Sequence, residues 1–319
     1  MKPKKTELKD AFLKMNHIRL FEEKVAWFFS RGMIHGTTHL YVGEEACAVG
    51  ACAALDNQDM MTSTHRGHGH CIARGIDLNR MMAELLGREA GYCKGKGGSM
   101  HIADLTVGNL GANGIVGGGI PIATGAGLSL RMRKVNGIVV CFFGDGALNQ
   151  GAFHEAVNMA SVWNLPVLYI CENNQYGMSM SVNRSIKPDD LSVRAASYGI
   201  PGETIDGNDF FVVRDAVERM RKHVIKEGPA LIVADTYRFL GHSKSDANKY
   251  RTKDEIARWK KKDPIKRFRD RVIAEGWLKN EELDALTGQA ASDIEKAVVF
   301  AEKQPYPGIE SIHEDVYAP

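Results

Sequence analysis

Residues 144–174 read GDGALNQGAFHEAVNMASVWNLPVLYICENN. The stretch follows the apolar run Ile138 to Phe143 (IVVCFF), and a second apolar run, Leu165 to Cys171, leads into its closing Asn173-Asn174. Two strand signals therefore bracket one helical segment, which is the pattern of a βαβ unit with oxygen-bearing side chains at both strand ends.

That placement carries chemistry. Beyond the carboxyl end of a parallel strand the chain can present a carboxylate, and a following helix aims free N–H groups at an anion. Asp145 and Asn174 offer hard oxygen ligands of the kind Mg²⁺ takes beside phosphate oxygens, and Gly144 and Gly146 let the backbone turn and approach a ligand. Taken alone, Asp-Gly is a common surface turn and Asn-Asn a common boundary. The two together, 26 residues apart (Ala147 to Glu172), fit a metal-diphosphate cradle better than two unrelated turns.

At 319 residues the chain has room for one large α/β domain. The reading is a single domain, 1–319, with a helical N-terminal segment over about 1–35 and a helical C-terminal appendage over about 252–319. A formal charge of +2 argues against a dedicated nucleic-acid binder. The six cysteines stand at 47, 52, 71, 93, 141 and 171 with no C-x-x-C pair, so they read as buried thiols in a reducing compartment. No signal-peptide core and no stretch of roughly 20 apolar residues is present, so a soluble cytoplasmic protein without membrane attachment is expected.

Outward from the central unit, Leu8 to Arg31 carries apolar residues at helical spacing, enough for one or two amphipathic helices. Helices are also expected from about Glu44 to Leu55, over Leu78 to Leu86 behind an Asp77 cap, over Ala123 to Leu130, and over Phe211 to Lys226 behind Asp209. The strand Ala230 to Asp235 then completes another βαβ step. Leu283 to Ala301 is helical in period, and the lysines near Trp259 read as a solvated face.

Three stretches invite other readings. Thr62 to Cys71 holds His65, His68 and His70 with Arg66, but no acidic or Cys/His partner stands at a zinc-site spacing, so a pocket-lining loop for an anionic or hydroxylated ligand is preferred. Gly91 to His101 mimics a phosphate loop but has Gly97 where a P-loop needs Ser or Thr, and no G-x-G-x-x-G follows a strand anywhere. Gly111 to Pro121 interleaves Ile115, Val116 and Ile120 where a flexible linker would be polar. The long polar loop Thr236 to Ala247 follows a strand end, and its His242 has the side chain best suited to acid-base work.

These motifs, with Tyr176-Gly177-Met178, Lys94 to His101, Asn113 to Val116 and Tyr237 to Ser243 in that relation to the GDG…NN pair, resemble the α subunits of thiamine-diphosphate-dependent E1 components of 2-oxo acid dehydrogenase complexes. The similarity runs from about residue 10 to 315. It implies the thiamine-diphosphate-binding fold, a parallel sheet flanked by helices. It also implies that Asp145, the Asn174 side chain and the Tyr176 carbonyl bind Mg²⁺, and that Gly144, Gly146 and Ala147 meet the diphosphate with Arg66. Gly114 and Val116 would contact the aminopyrimidine, and His242 would face the reacting centre.

A β subunit would complete the site, supplying the glutamate that activates the cofactor, in an expected α₂β₂ assembly that serves a lipoyl-bearing E2 acyltransferase. Pyruvate-type α subunits typically carry a tyrosine before the arginine of the Arg66 loop and often an aromatic near position 37. This chain has His65 and Thr37-Thr38, similar to the acetoin-cleaving branch. The resemblance thus implies cleavage of acetoin, release of acetaldehyde and transfer of an acetyl unit to lipoyl, with His242 and His65 at the reaction. Pyruvate decarboxylation with the same acetyl transfer is the alternative, and a non-catalytic scaffold of the same fold is a second one.

Overall fold

The computed structural model describes residues 3–316. In chain order these form α1 (Lys5–Ser30), α2 (Glu45–Ala53), β1 (Met60–Thr62), α3 (His68–Arg74), α4 (Leu78–Leu85), α5 (Gly119–Met132), β2 (Val139–Gly144), α6 (Gly151–Val162) and β3 (Val167–Asn173). There follow β4 (Tyr176–Gly177), β5 (Met180–Ser181), α7 (Val182–Ser185), β6 (Gly202–Asp206), α8 (Phe210–Glu227), β7 (Ala230–Asp235), α9 (Lys253–Lys260), α10 (Pro264–Ala274) and α11 (Asn280–Lys303).

Five strands make one parallel sheet in the order β1-β2-β3-β7-β6, and β4 and β5 form a separate small antiparallel pair. The register runs from Val139 opposite Val167 to Gly144 opposite Glu172, so the carboxyl ends of β2 and β3 finish side by side. Strand side chains alternate faces, and here both faces are buried. Val140 and Phe142 join the core under α1, α2 and α8, whereas Val139, Cys141 and Phe143 join the core under α5 and α6. A continuous apolar strand is the result, as the IVVCFF run requires.

The βαβ unit differs in one respect from the sequence reading. Asp145–Asn149 winds as a 3₁₀ turn, and α6 begins only at Gly151. The backbone that follows Gly144 at the strand end is therefore this turn and not the first turn of an α-helix. The expected N-terminal helices are a single α1 of 26 residues. α5 starts at Gly119, four residues before the expected start. The C-terminal helices are integrated with the main body: Phe268, Val272, Leu283, Ile294 and Ala301 are buried in the same core as Phe12, Phe21 and Phe28 of α1. Asp77 and Asp209 cap their helices as expected, accepting from Arg80 and from Phe211 and Val212. No helix among the described residues is long and apolar enough to cross a membrane.

Candidate active site

In parallel α/β sheets ligands bind beyond the carboxyl ends of the strands. Here the chain segments leaving β1, β2, β3 and β7 surround a cavity of about 330 Å³. The residues that the resemblance implies for metal, cofactor and reaction all line it: His65 and Arg66, Gly114 and Val116, Gly144 through Ala147, Asn174, Tyr176 and His242. The cavity has two chemically different ends.

At one end stand Asp145 and Asn174, 2% and 8% exposed, carried on the ends of β2 and β3. Asp145 Oδ2 and Asn174 Oδ1 are buried oxygens with no hydrogen-bond donor. Burial pushes the Asp145 carboxyl up to about 6, against the pull of its own and the Gly146 backbone N–H and of Arg238. Buried acceptors without donors are rare, and two converging on a cavity are what a hard cation satisfies. A Cβ added at Gly144 would meet no atom within 4 Å, and one at Gly146 only the Gly177 Cα at 3.5 Å. Both glycines therefore leave room on the cavity floor; neither adopts a left-handed backbone. The residues present fit a metal-diphosphate group, with Arg66 and Arg238 supplying the cationic wall.

At the other end are three histidines from three distant segments, His39, His65 and His242. Their ring centroids lie 4.6 Å (39–65), 4.7 Å (39–242) and 5.6 Å (65–242) apart. Their nitrogens come within 4.8 Å of one another. Burial first, then the Arg66 charge, lowers their pKa values to about 3, about 2 and about 4 in that order. Arg66 is locked by donating to the carbonyls of Leu40 (2.7 Å) and His242 (3.0 Å), and Arg238 Nη1 lies 2.9 Å from His242 Nδ1. Burial and the two guanidiniums keep the imidazoles neutral, so this trio faces a ligand with uncharged hydrogen-bonding nitrogens. The sequence reading gave His242 the ordinary histidine pKa. In the fold, burial and the Arg66 and Arg238 charges hold it well below that value, at about 4, so its imidazole is neutral at pH 7.

The His65/His68/His70 group does not converge. His68 and His70 lie on α3, buried and away from the cavity. His68 pairs with Glu22 (3.0 Å) and Ser99 (3.0 Å). His70 pairs with Glu172 (3.0 Å) and Ser63 (2.8 Å), and stacks at 4.0 Å on Phe142, which does line the cavity. The glycine-rich loop after α4 is likewise not a phosphate cradle. The Glu84 carboxylate already accepts from the backbone N–H groups of Cys93, Gly95, Gly97 and Gly98 at 2.7–2.9 Å. The loop's contribution to the cavity is Met100.

Two cavity residues escaped the sequence reading as functional, His39 and Arg238. The surroundings of each are tertiary: His39 meets His65 and His242, and Arg238 meets His242, Tyr250 and the Met178 carbonyl. Of the cysteines, Cys93 is half-exposed and the other five are buried; all are free thiols.

The family model for the dehydrogenase E1 component matches residues 13–310. The acetoin:2,6-dichlorophenolindophenol oxidoreductase α subunit of Bacillus subtilis (strain 168) is 49% identical, covering 96% of this chain and 92% of its own length. The subunit of the same name from Cupriavidus necator is 46% identical over 98% and 95%. The pyruvate dehydrogenase E1 component α subunit of Rhizobium meliloti (strain 1021) is 40% identical over 98% and 90%. A parallel α/β fold with a cavity at the strand ends, lined by buried acceptor oxygens, defines the class, and the match makes it specific: the chain belongs to the dehydrogenase E1 component family, as an α subunit. That family depends on thiamine diphosphate, and its α subunits work with a β subunit and a lipoyl-bearing E2 component.

Proposed function

We propose that this chain is the α subunit of an acetoin-cleaving E1 enzyme that uses thiamine diphosphate and Mg²⁺, releasing acetaldehyde and passing the acetyl unit to an E2 lipoyl group. The observation that carries the reading is the division of one cavity into an oxygen end and a neutral imidazole end. Asp145, Asn174 and the Tyr176 carbonyl hold the metal; Gly144, Gly146, Ala147 and Arg66 hold the diphosphate; Gly114 and Val116 receive the pyrimidine. When bound, thiamine diphosphate supplies a carbon nucleophile and an electron sink for breaking the bond next to a carbonyl.

The chain's own residues do the rest. His242, held by Arg238 at Nδ1, directs its Nε2 side toward substrate oxygen, and His65 and His39 flank the same space with neutral nitrogens. Neutral donors stabilise developing charge on a carbonyl or hydroxyl oxygen, the two oxygens that acetoin presents. The greater identity to the two acetoin oxidoreductase subunits than to the Rhizobium pyruvate subunit supports the same substrate.

A β subunit covers the site in an α₂β₂ assembly. The cavity rim carries exposed apolar side chains, Ile115 (74% exposed), Val116 and Met178, that suit a protein partner more than water. Purified α and β chains, assayed together with Mg²⁺ and thiamine diphosphate, should reduce an artificial electron acceptor with acetoin and not with pyruvate. Turnover of pyruvate alone would replace this reading with the pyruvate one. Absence of Mg²⁺-dependent cofactor binding to the assembly would leave a scaffold role.

A further inference from the structure

An asparagine ligand has a flaw: its amide looks the same after a half-turn, yet only Oδ1 can bind a hard cation and only Nδ2 can donate. Something on the far side of Asn174 has to decide which atom faces the cavity. In this fold that neighbour is Glu44. Its Oε1 accepts from Asn174 Nδ2 at 3.4 Å, and Arg66 Nε stands 3.9 Å from the same oxygen. Burial and the neighbouring Glu172 push the Glu44 carboxyl up to about 8, but Oε1 faces two donors, Arg66 Nε and Asn174 Nδ2, and the free oxygen is Oε2. Oε1 is therefore the accepting atom with or without a proton on the group, and the half-turned amide would set Oδ1 against it. Oδ1 is thereby left as the unpartnered, buried oxygen.

Glu44 is rigidly carried. It caps the start of α2 behind Gly43, which has φ of +105°, and a Cβ on Gly43 would sit 2.8 Å from the Phe239 ring and also against the Tyr237 carbonyl. The Glu45 carboxylate accepts from Gly43 N at 3.1 Å and is tied to Arg19 at 2.7 Å. The turn is therefore fixed from three sides.

As a stabilising element Glu44 makes little sense. It is fully buried, its Oε2 has no partner, and its contacts are long. A buried carboxyl with an unpartnered oxygen is unfavourable even when neutral, and an apolar residue of that size would serve the apo fold better. We propose that Glu44 is a positioning residue: it orients the Asn174 amide so that Oδ1 faces the metal-diphosphate site. The inference rests on the Mg²⁺–thiamine diphosphate reading above.

The test uses the αβ assembly, with calorimetric thiamine diphosphate binding over a Mg²⁺ titration and the melting temperature of the cofactor-free protein as readouts. Glu44→Leu should raise half-saturating Mg²⁺ roughly 10- to 100-fold, the usual size of an outer-shell loss, with apo stability unchanged or increased. Glu44→Gln retains an accepting carbonyl and should stay within a few-fold of the parent. In an Asn174→Asp background both oxygens are equivalent, so the same Glu44→Leu change should no longer weaken Mg²⁺ binding. Glu44→Met replaces Glu44→Leu if the leucine variant does not assemble. The inference is overturned if Glu44→Leu keeps the parent Mg²⁺ dependence while Asn174→Ala loses it. If Asn174→Ala also binds like the parent, the metal-site assignment itself has failed.

Discussion

The two ends of the cavity are assembled in opposite ways. The oxygen end is local: Asp145 and Asn174 lie 29 positions apart on adjacent strands whose register places Gly144 beside Glu172. The imidazole end is remote, joining His39, His65 and His242 from loops far apart in the chain that meet beyond the carboxyl ends of the parallel strands. Their electrostatics differ too. The oxygen end is an uncompensated acceptor site, raising the Asp145 carboxyl, whereas the imidazole end lies under two guanidiniums and is held neutral. Anchoring and reaction are thus separable, and substitutions should separate them.

The largest effect is expected at the anchor. Asp145→Ala in the αβ assembly should weaken Mg²⁺-dependent thiamine diphosphate binding by more than about 100-fold. His242→Ala should leave that calorimetric binding within a few-fold of the parent while lowering kcat by about 100-fold or more, the usual range for a lost proton-handling or hydrogen-bonding group. If His242→Ala loses cofactor as badly as Asp145→Ala, the division between the two ends is wrong. A smaller effect is expected at His65. His65→Tyr should move the ratio of kcat/KM for acetoin over pyruvate by about tenfold toward pyruvate, within what one changed pocket contact supplies. An unchanged ratio would remove His65 from substrate choice.

The same contrast explains what could be read from the chain alone. The anchor was legible because buried parallel strands are continuous apolar runs, and their ends are marked by Asp145 and Asn174. The sheet edges were not: β1 has three residues, and β6 reads Gly-Glu-Thr-Ile-Asp with little apolar content. His39 and Arg238 gave no signal of their own, since their surroundings are tertiary. His68 and His70 misled for a helical reason. Residues two apart on α3 point to opposite sides, so one reaches Glu22 and the other Glu172, and neither reaches His65's cavity.

The smallest expected effect is on stability, and it tests whether the imidazole end is as neutral as its geometry requires. In the folded chain His39, His65 and His242 titrate near 3, 2 and 4, against 6.5 for an unhindered histidine. Between pH 6.5 and those lower values the unfolded chain binds more protons than the folded one, so folding stability falls as pH falls through that window. Asp145 and Glu44 work the other way: their folded values of about 6 and about 8 exceed the ordinary 3.8 and 4.5, so they add stability on acidification through those windows. The three histidines outweigh the two carboxyls. The cofactor-free αβ assembly should therefore melt a few degrees lower at pH 5 than at pH 7, on the scale by which one or two kcal/mol moves a melting temperature. His65→Gln should flatten the slope by removing one of the three, and Asp145→Asn should steepen it by removing one of the two opposing groups. A melting temperature equal at both pH values, with both variants parallel to the parent, would mean the trio is solvated and charges freely. It would then titrate near 6.5 like any exposed histidine, and the cavity would lose the neutral hydrogen-bonding end on which the reading rests.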